Sequence, residues 1–162
     1  MLFIALKIGE GDYALAASAI VEVLPLVELK PVPRAPQGIA GLFDYRGVPV
    51  PVIDLSLLAY GVKCRESMTT RIAVVNCPGG AGGKLNRLGL VAEHLTNAFH
   101  VDPGAFEPPG VNPPQTPFLG PVIRRSDRII QLIEVAKILP PEVRSCLYSD
   151  IAVQVGHDSP AN

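Results

Sequence analysis

Cysteine, histidine and charge are all scarce in this chain, and each scarcity removes a class of function. Three cysteines, Cys64, Cys77 and Cys146, make an odd, widely spaced set with no Cys-x-x-Cys pair. Such a set builds neither a disulfide framework nor a zinc site, and the expected compartment is the cytoplasm. Three histidines, His94, His100 and His157, form no His-x-x-x-His motif and no cluster with the cysteines. A metal site needs several ligands at short spacing. Charged residues make up 18% of the chain and the formal net charge is −1, so no broad field draws nucleic acid or an anionic membrane. No apolar run reaches the roughly 18 residues of a membrane helix. The apolar start MLFIALKIG lacks a basic leader region and a small-residue cleavage site and meets charge at Lys7. It reads as a first strand.

Hydrophobic residues, by contrast, are 48% of 162 residues. That is enough for a core in one domain, or in two small units that share one. The 17 prolines and 15 glycines are scattered, as in a chain of many short strands joined by turns. Leu2 to Ile8 and Tyr13 to Ala17 read as a hairpin around Gly9-Glu10-Gly11-Asp12. Ser18 is placed to cap a helical turn through Ile20, and Val21 to Leu29 is extended, with Pro25 marking a bulge or an edge. Asp54 stands at the N-cap of a short helix, Leu55 to Ala59, that Gly61 stops.

After the polar segment Gly61 to Thr70 the order of elements begins again. Arg71 to Cys77 echoes Leu2 to Ile8, Leu88 to Glu93 echoes Tyr13 to Ser18, and His94 to Val101 echoes Ala19 to Val27. Arg128 to Glu134 echoes the strand that starts at Val48, and a helical turn follows near Val135 to Leu139. This is a duplication of one small β unit. Two small barrels, each closed to remove its edges, are the economical result. The expected fold is all-β, with a first barrel over 1–67, a second over 68–141, and a C-terminal helical piece and tail over 142–162.

The candidate chemistry is sparse. Pro78 to Asn86 (PGGAGGKLN) superficially suggests a phosphate-binding loop. That motif, however, needs a Gly where Pro78 stands and a Ser or Thr where Leu85 stands. It reads as a hairpin tip. His94, among apolar neighbours, reads as a solvent-facing strand residue. No Gly-x-Ser-x-Gly and no nucleophile with a base beside it is present, so the chain reads as non-catalytic and without a cofactor. A hydrolase is the weakest of the functional readings.

The most distinctive stretch is Pro33 to Leu58, PRAPQGIAGLFDYRGVPVPVIDLSLL. A proline-rich loop leads through Gly41 to a turn at Asp44-Tyr45-Arg46-Gly47, where glycine supplies positive φ. A strand follows from Val48 to Leu55. Val48, Val50, Val52 and Asp54 share one face of it, and Pro49, Pro51, Ile53 and Leu55 share the other. Glu22 and Arg46 each lie at the end of an apolar segment. They read either as a partly exposed salt bridge holding the turn or as a pair that orients Arg46 for a protein partner.

These residues resemble the CheW-like domain, over about Leu2 to Leu147. The likeness is carried by Tyr13, Ile20, Glu22, Val23, Gly41, Arg46-Gly47 and Val50-Pro51-Val52-Ile53-Asp54-Leu55, and more loosely by Arg71-Ile72, Gly89, Leu95 and Arg128 to Leu139. The resemblance implies two five-stranded SH3-like barrels around a shared apolar interface and a non-catalytic adaptor role. The implied partners are the cytoplasmic tip of a methyl-accepting chemoreceptor and the regulatory domain of a CheA-type histidine kinase. It further implies that Ile20, Val23, Ile72, Gly89 and Leu95 line or shape a receptor groove. Glu22, Arg46 and Gly47, with Gly41, would fix the first barrel's binding surface. An apolar groove between strands suits an amphipathic helix.

Where Asn-Leu usually precedes Arg-Gly in the family, this chain has Asp44-Tyr45. It also has Glu93-His94 at a turn where Asp-Gly is common, and a very proline-rich loop from Pro103 to Pro117. These departures fit an adaptor of a non-flagellar pathway such as surface sensing. The rival reading, from another class, is a β-barrel module that binds a small molecule or peptide in the cleft between barrels.

Overall fold

Leu2–Ile8 (β1) and Gly11–Ala16 (β2) pair antiparallel from Phe3 opposite Ala16 to Ile8 opposite Gly11. Gly9, at φ +59°, takes the turn between them. The computed structural model describes residues 1–78, 86–140 and 143–144. Positions 79–85 of the hairpin tip expected at Pro78 to Asn86, most of the expected C-terminal helical piece and the tail lie outside the described residues.

The expected cap at Ser18 is not made. A 3-10 turn covers Ala17–Ala19 with Ala16 at its N-cap and no side-chain hydrogen bond. The next strand, Ile20–Pro25 (β3), stops at the proline and does not run on to Leu29. Ile39–Tyr45 (β4) is a strand where the sequence reading had only a loop and a turn. Gly41, Phe43 and Tyr45 alternate inward there. Its partner, Val48–Asp54 (β5), leads into Leu55–Tyr60 (α1). Asp54 caps this helix: its Oδ1 accepts from Ser56 N (3.0 Å) and Leu57 N (3.1 Å), and its Oδ2 from Cys64 N (2.8 Å). Gly61 ends it at φ +73°.

Thr70–Cys77 (β6) is followed by Asn86–His100 (β7), one continuous strand across the two segments read separately from the sequence. Leu119–Arg125 (β8) and Arg128–Ile133 (β9) complete the strands, and a 3-10 turn follows at Val135–Lys137.

The nine strands among the described residues form one sheet, in the order β3-β6-β7-β1-β2-β9-β8, with β5 also on β7 and β4 on β5. The first half of β7, Asn86 to Glu93, pairs with β6, and its second half pairs with β1. The switch falls at Glu93-His94, where His94 is exposed and stands at φ +58°. Two five-strand groups result, β3-β6-β7-β5-β4 and β7-β1-β2-β9-β8. Each contains one parallel pair, β5 with β7 and β2 with β9. The ladder therefore repeats, but it crosses the division at 67/68: β1 and β2 sit in the group completed by β8 and β9, and β6 sits beside β3.

The sheet is not closed, against the expectation of closed barrels. Among the described residues, backbone pairing reaches across the open side of each group only through a neighbouring loop, by the isolated bridges Lys30–Leu42 and Glu107–Val122. The loops that carry these bridges are broken by Pro25, Pro31 and Pro33 in one group and by Pro103, Pro108 and Pro109 in the other. Proline has no N–H to extend a ladder.

β5 explains how one strand can serve two cores. It pairs with β4 from Val48 onward but with β7 only from Val52 to Asp54, so Pro49 and Pro51 precede the second ladder. Val50 and Val52 pack with Phe43, Tyr45, Ile72, Val74 and Val91 inside the first group. Ile53 and Leu55 face the large cluster shared with Leu6, Leu15, Leu90, Leu95, Phe118 and Ile133. A third cluster of Phe3, Ala14, Ile123 and Ile130 lies inside the second group.

Candidate functional site

Between Tyr45 and Val48, which pair across the β4–β5 ladder, only Arg46 and Gly47 remain for the turn. Both have positive φ, +53° and +84°, as a two-residue hairpin turn with the native strand twist requires. Gly47 meets that at no steric cost and Arg46 against its preference. The turn is held by Asp44, whose Oδ1 accepts from Gly47 N at 2.8 Å.

The reward for placing an arginine there lies across the sheet on β3. Arg46 Nη2 donates to Glu22 Oε1 at 2.9 Å, and the Tyr45 hydroxyl donates to the same oxygen at 2.8 Å. The Arg46 guanidinium also lies 5.3 Å from the centre of the Tyr45 ring. With the Arg46 side chain 75% exposed, the ion pair by itself is worth about 0–1 kcal/mol. Tyr45 is buried, and its ring packs beside Phe43. Its hydrogen bond to the Glu22 carboxylate pushes the phenol pKa up, which keeps the donor in place. Glu22, Tyr45 and Arg46 thus form a latch between the β4–β5 hairpin and β3.

The latch borders an open groove of about 860 Å³ whose apolar lining includes Leu24, Pro25, Val27, Leu42, Phe43 and Pro49. Nothing in the groove is arranged as nucleophile and base. Among the described residues no three His, Cys, Asp or Glu side chains are grouped to hold a metal ion. Among the described residues no helix is long and apolar enough to cross a membrane. The chemistry this face offers is contact: apolar area with a fixed, exposed guanidinium beside it.

Residues 2–142 match the family model for the CheW-like domain. The chain belongs to the CheW-like domain family. It is 24% identical over 143 residues to a chemotaxis protein CheW of Rhizobium meliloti (strain 1021), covering 87% of this chain and 88% of that one. It is 26% identical over 139 residues to a chemotaxis protein CheW of Helicobacter pylori (strain ATCC 700392 / 26695), with coverage of 85% and 80%. Among solved structures, the scaffolding protein TtCheW from Thermoanaerobacter tengcongensis superposes with a TM-score of 0.72 at 25% identity, over 86% of this chain and 87% of that chain.

Within this CheW-like fold the residues singled out from the sequence fall into two sets. Glu22, Arg46 and Gly47 are brought together at the latch. Val23, on the outward side of β3, is 37% exposed, and Ile20 is half-buried against the shared core. The remainder lie inside. Ile72 is fully buried in the first group's core, and Leu95 is 4% exposed in the shared one. Gly89 is a buried backbone position where a Cβ would stand 3.1 Å from Val52 and 3.2 Å from Ile72. These three therefore lie beneath the surface, where a side chain without exposed area touches no docked partner. Gly41 is likewise buried. A Cβ there would lie 2.6 Å from Lys30 O, so glycine lets the 29–30 segment close over β4.

The sequence reading missed Tyr45, noted only as a departure from the family's usual leucine, and it missed the groove lining at Leu24, Leu42 and Phe43. The alternation of Phe43 and Tyr45 around exposed Asp44 was the available signal.

Proposed function

We propose that this chain is a non-catalytic cytoplasmic adaptor that couples the cytoplasmic tip of a methyl-accepting chemoreceptor to the regulatory domain of a CheA-type histidine kinase. The observation that carries the reading is the latch of Glu22, Tyr45 and Arg46 beside an apolar groove. A guanidinium fixed at the edge of an apolar surface is the usual make-up of a protein-docking patch. The groove accepts the apolar side of an amphipathic helix, and Val23 with the accessible part of Ile20, on the opposite face of β3 from Glu22 and Leu24, offers a second apolar contact. The adaptor reaches membrane-associated receptor arrays through its partners. Asp44-Tyr45 in place of the family's usual pair alters the chemistry beside Arg46, and that difference supports a non-flagellar pathway such as surface sensing.

Calorimetry and co-elution against the cytoplasmic hairpin of a chemoreceptor and the regulatory domain of a CheA-type kinase, both from the same genome, test this directly. Micromolar binding to both is expected, about tenfold weaker in Arg46→Ala or Glu22→Ala, with circular dichroism unchanged. Binding to neither by the folded protein would overturn it. The volume of the groove, within the range of small-ligand sites, would then favour a ligand-sensing module, read by native mass spectrometry of the purified chain.

A further inference from the structure

We infer that the end of the β8–β9 hairpin is a docking surface for an acidic segment of a protein partner, one with an apolar side chain among its carboxylates. None of the residues involved lines the groove beside the latch, so the inference stands apart from the adaptor reading.

Arg124, Arg125 and Arg128 flank the turn Ser126-Asp127, and all three are exposed. The register sets their neighbours: Arg125 stands directly opposite Arg128, and Arg124 directly opposite Ile129. Residues directly opposite in an antiparallel pair share a face, with Cβ atoms about 5 Å apart. One face of the hairpin end therefore carries two arginines. The other carries an arginine beside an isoleucine that is 58% exposed.

Like charges directly opposite each other destabilise a strand pair, and the chain does little to offset them. Asp12 on β2 lies 3.6 Å from Arg128 but also 3.7 Å from Lys7. Both distances are too long for a hydrogen bond. Among the described residues Asp127 forms no ion pair, and Arg124 has no charged, hydrogen-bonding or ring partner. Arg125 lies 4.5 Å from the centre of the Phe99 ring. Cation–π attraction holds that guanidinium in place, and none of its N–H donors has an acceptor among the described residues.

What remains is a set of positioned, unused N–H donors on a chain whose net charge is −1. The patch is local, and too small for the extended phosphate track of a nucleic acid. Asp12 and Asp127 within it would be repelled by a continuous anionic surface such as a membrane, whereas discrete carboxylates can address the arginines alone. Carboxylate geometry matches the guanidinium edge. Ile129, beside Arg124, supplies the apolar contact.

The test is an NMR titration of the full chain that follows its arginine Nε–H signals, with calorimetry for affinity. The probes are a peptide with glutamates on both sides of a central leucine, its glutamine counterpart, inorganic phosphate, and vesicles of phosphatidylglycerol. The signals of Arg124, Arg125 and Arg128 should shift with the glutamate peptide and stay still with the glutamine one. Affinity should fall about threefold in Arg124→Gln and about tenfold in the double variant Arg125→Gln/Arg128→Gln. Ile129→Ser should lower it about threefold. Arg34→Gln, at an exposed arginine elsewhere, should change nothing. Equal affinity for the two peptides would overturn the inference. So would an equal loss in Arg34→Gln, or shifts caused by phosphate or vesicles but not by the glutamate peptide.

Discussion

The two five-strand groups share a ladder order but differ at the turn of the last hairpin and at the end of its last strand. In the first, the β4–β5 turn is Arg46-Gly47 and is tied to β3 by an ion pair and a phenol. In the second, the β8–β9 turn has Ser126 at φ +53° with no glycine, and its Arg125 lies 4.5 Å from the centre of the Phe99 ring on β7. Each hairpin is thus pinned by an arginine to the strand that its echo in the duplication predicts. One uses a carboxylate and the other an aromatic face. The end of the last strand differs too. Asp54 caps α1 with three accepted hydrogen bonds, whereas Glu134, before the equivalent 3-10 turn, makes no side-chain cap. Duplicated backbone order is kept by long-range pairing, while side chains at turns and caps are free to diverge. The first group has kept the tightly specified versions, and it also carries the groove.

The sharpest way to break this comparison is at glycine. Gly41→Ala should destabilise the chain by about 3 kcal/mol, because the new methyl meets backbone at Lys30 O from a positive-φ position. At Gly120 the neighbour is the flexible Glu134 side chain, and alanine should cost less than about 1 kcal/mol. Urea unfolding of the two variants measures the difference. Similar losses would mean that the loop over β4 yields as readily as a side chain.

The caps come next. Asp54→Ala orphans three N–H groups and should cost about 2–3 kcal/mol. Glu134→Ala removes only a partly exposed contact to Lys137 at 2.8 Å and should stay within about 1 kcal/mol. Equal midpoints in urea would refute the asymmetry.

The smallest effect is one of pH. Burial, and then the Asp54 carboxylate, push the Cys64 thiol up to about 11 from an ordinary 9.0. Below pH 9 both folded and unfolded chains keep that proton, and stability is unaffected. Above it the unfolded chain releases the proton first, so stability falls with rising pH between about 9 and 11. Cys64→Ala should flatten part of that fall. Tyr13, Tyr45 and Cys77 are also raised, so a residual slope should remain. An unchanged profile in Cys64→Ala would remove the thiol from the account.

Local signals decided what was legible. The Gly9 turn, the Asp54 cap, the Gly61 stop and the Arg46-Gly47 turn are each written within a few residues, by side chains that fit one backbone state. So was the alternation in β5, and the family likeness followed from the spacing of those same residues. β4 and β8 were lost to the reading, because Gly41, Gly120 and Pro121 interrupt their patterns and only their partners β5 and β9 make them strands. Ser18 was misread as a cap because nothing local says that the cap position falls two residues earlier, at Ala16.

By itself, then, the sequence determined an all-β chain of repeated order, its turns and cap, and the pairing of Glu22 with Arg46 as a candidate. Only the tertiary structure decided that the groups interleave across the 67/68 division, that the sheet stays open, and that Ile72, Gly89 and Leu95 lie beneath the surface rather than on it. It also decided that Tyr45 completes the latch. The reason is physical. Turn and cap preferences are set by a residue's own torsions and near neighbours, whereas burial and partner choice depend on strands brought together from tens of residues away.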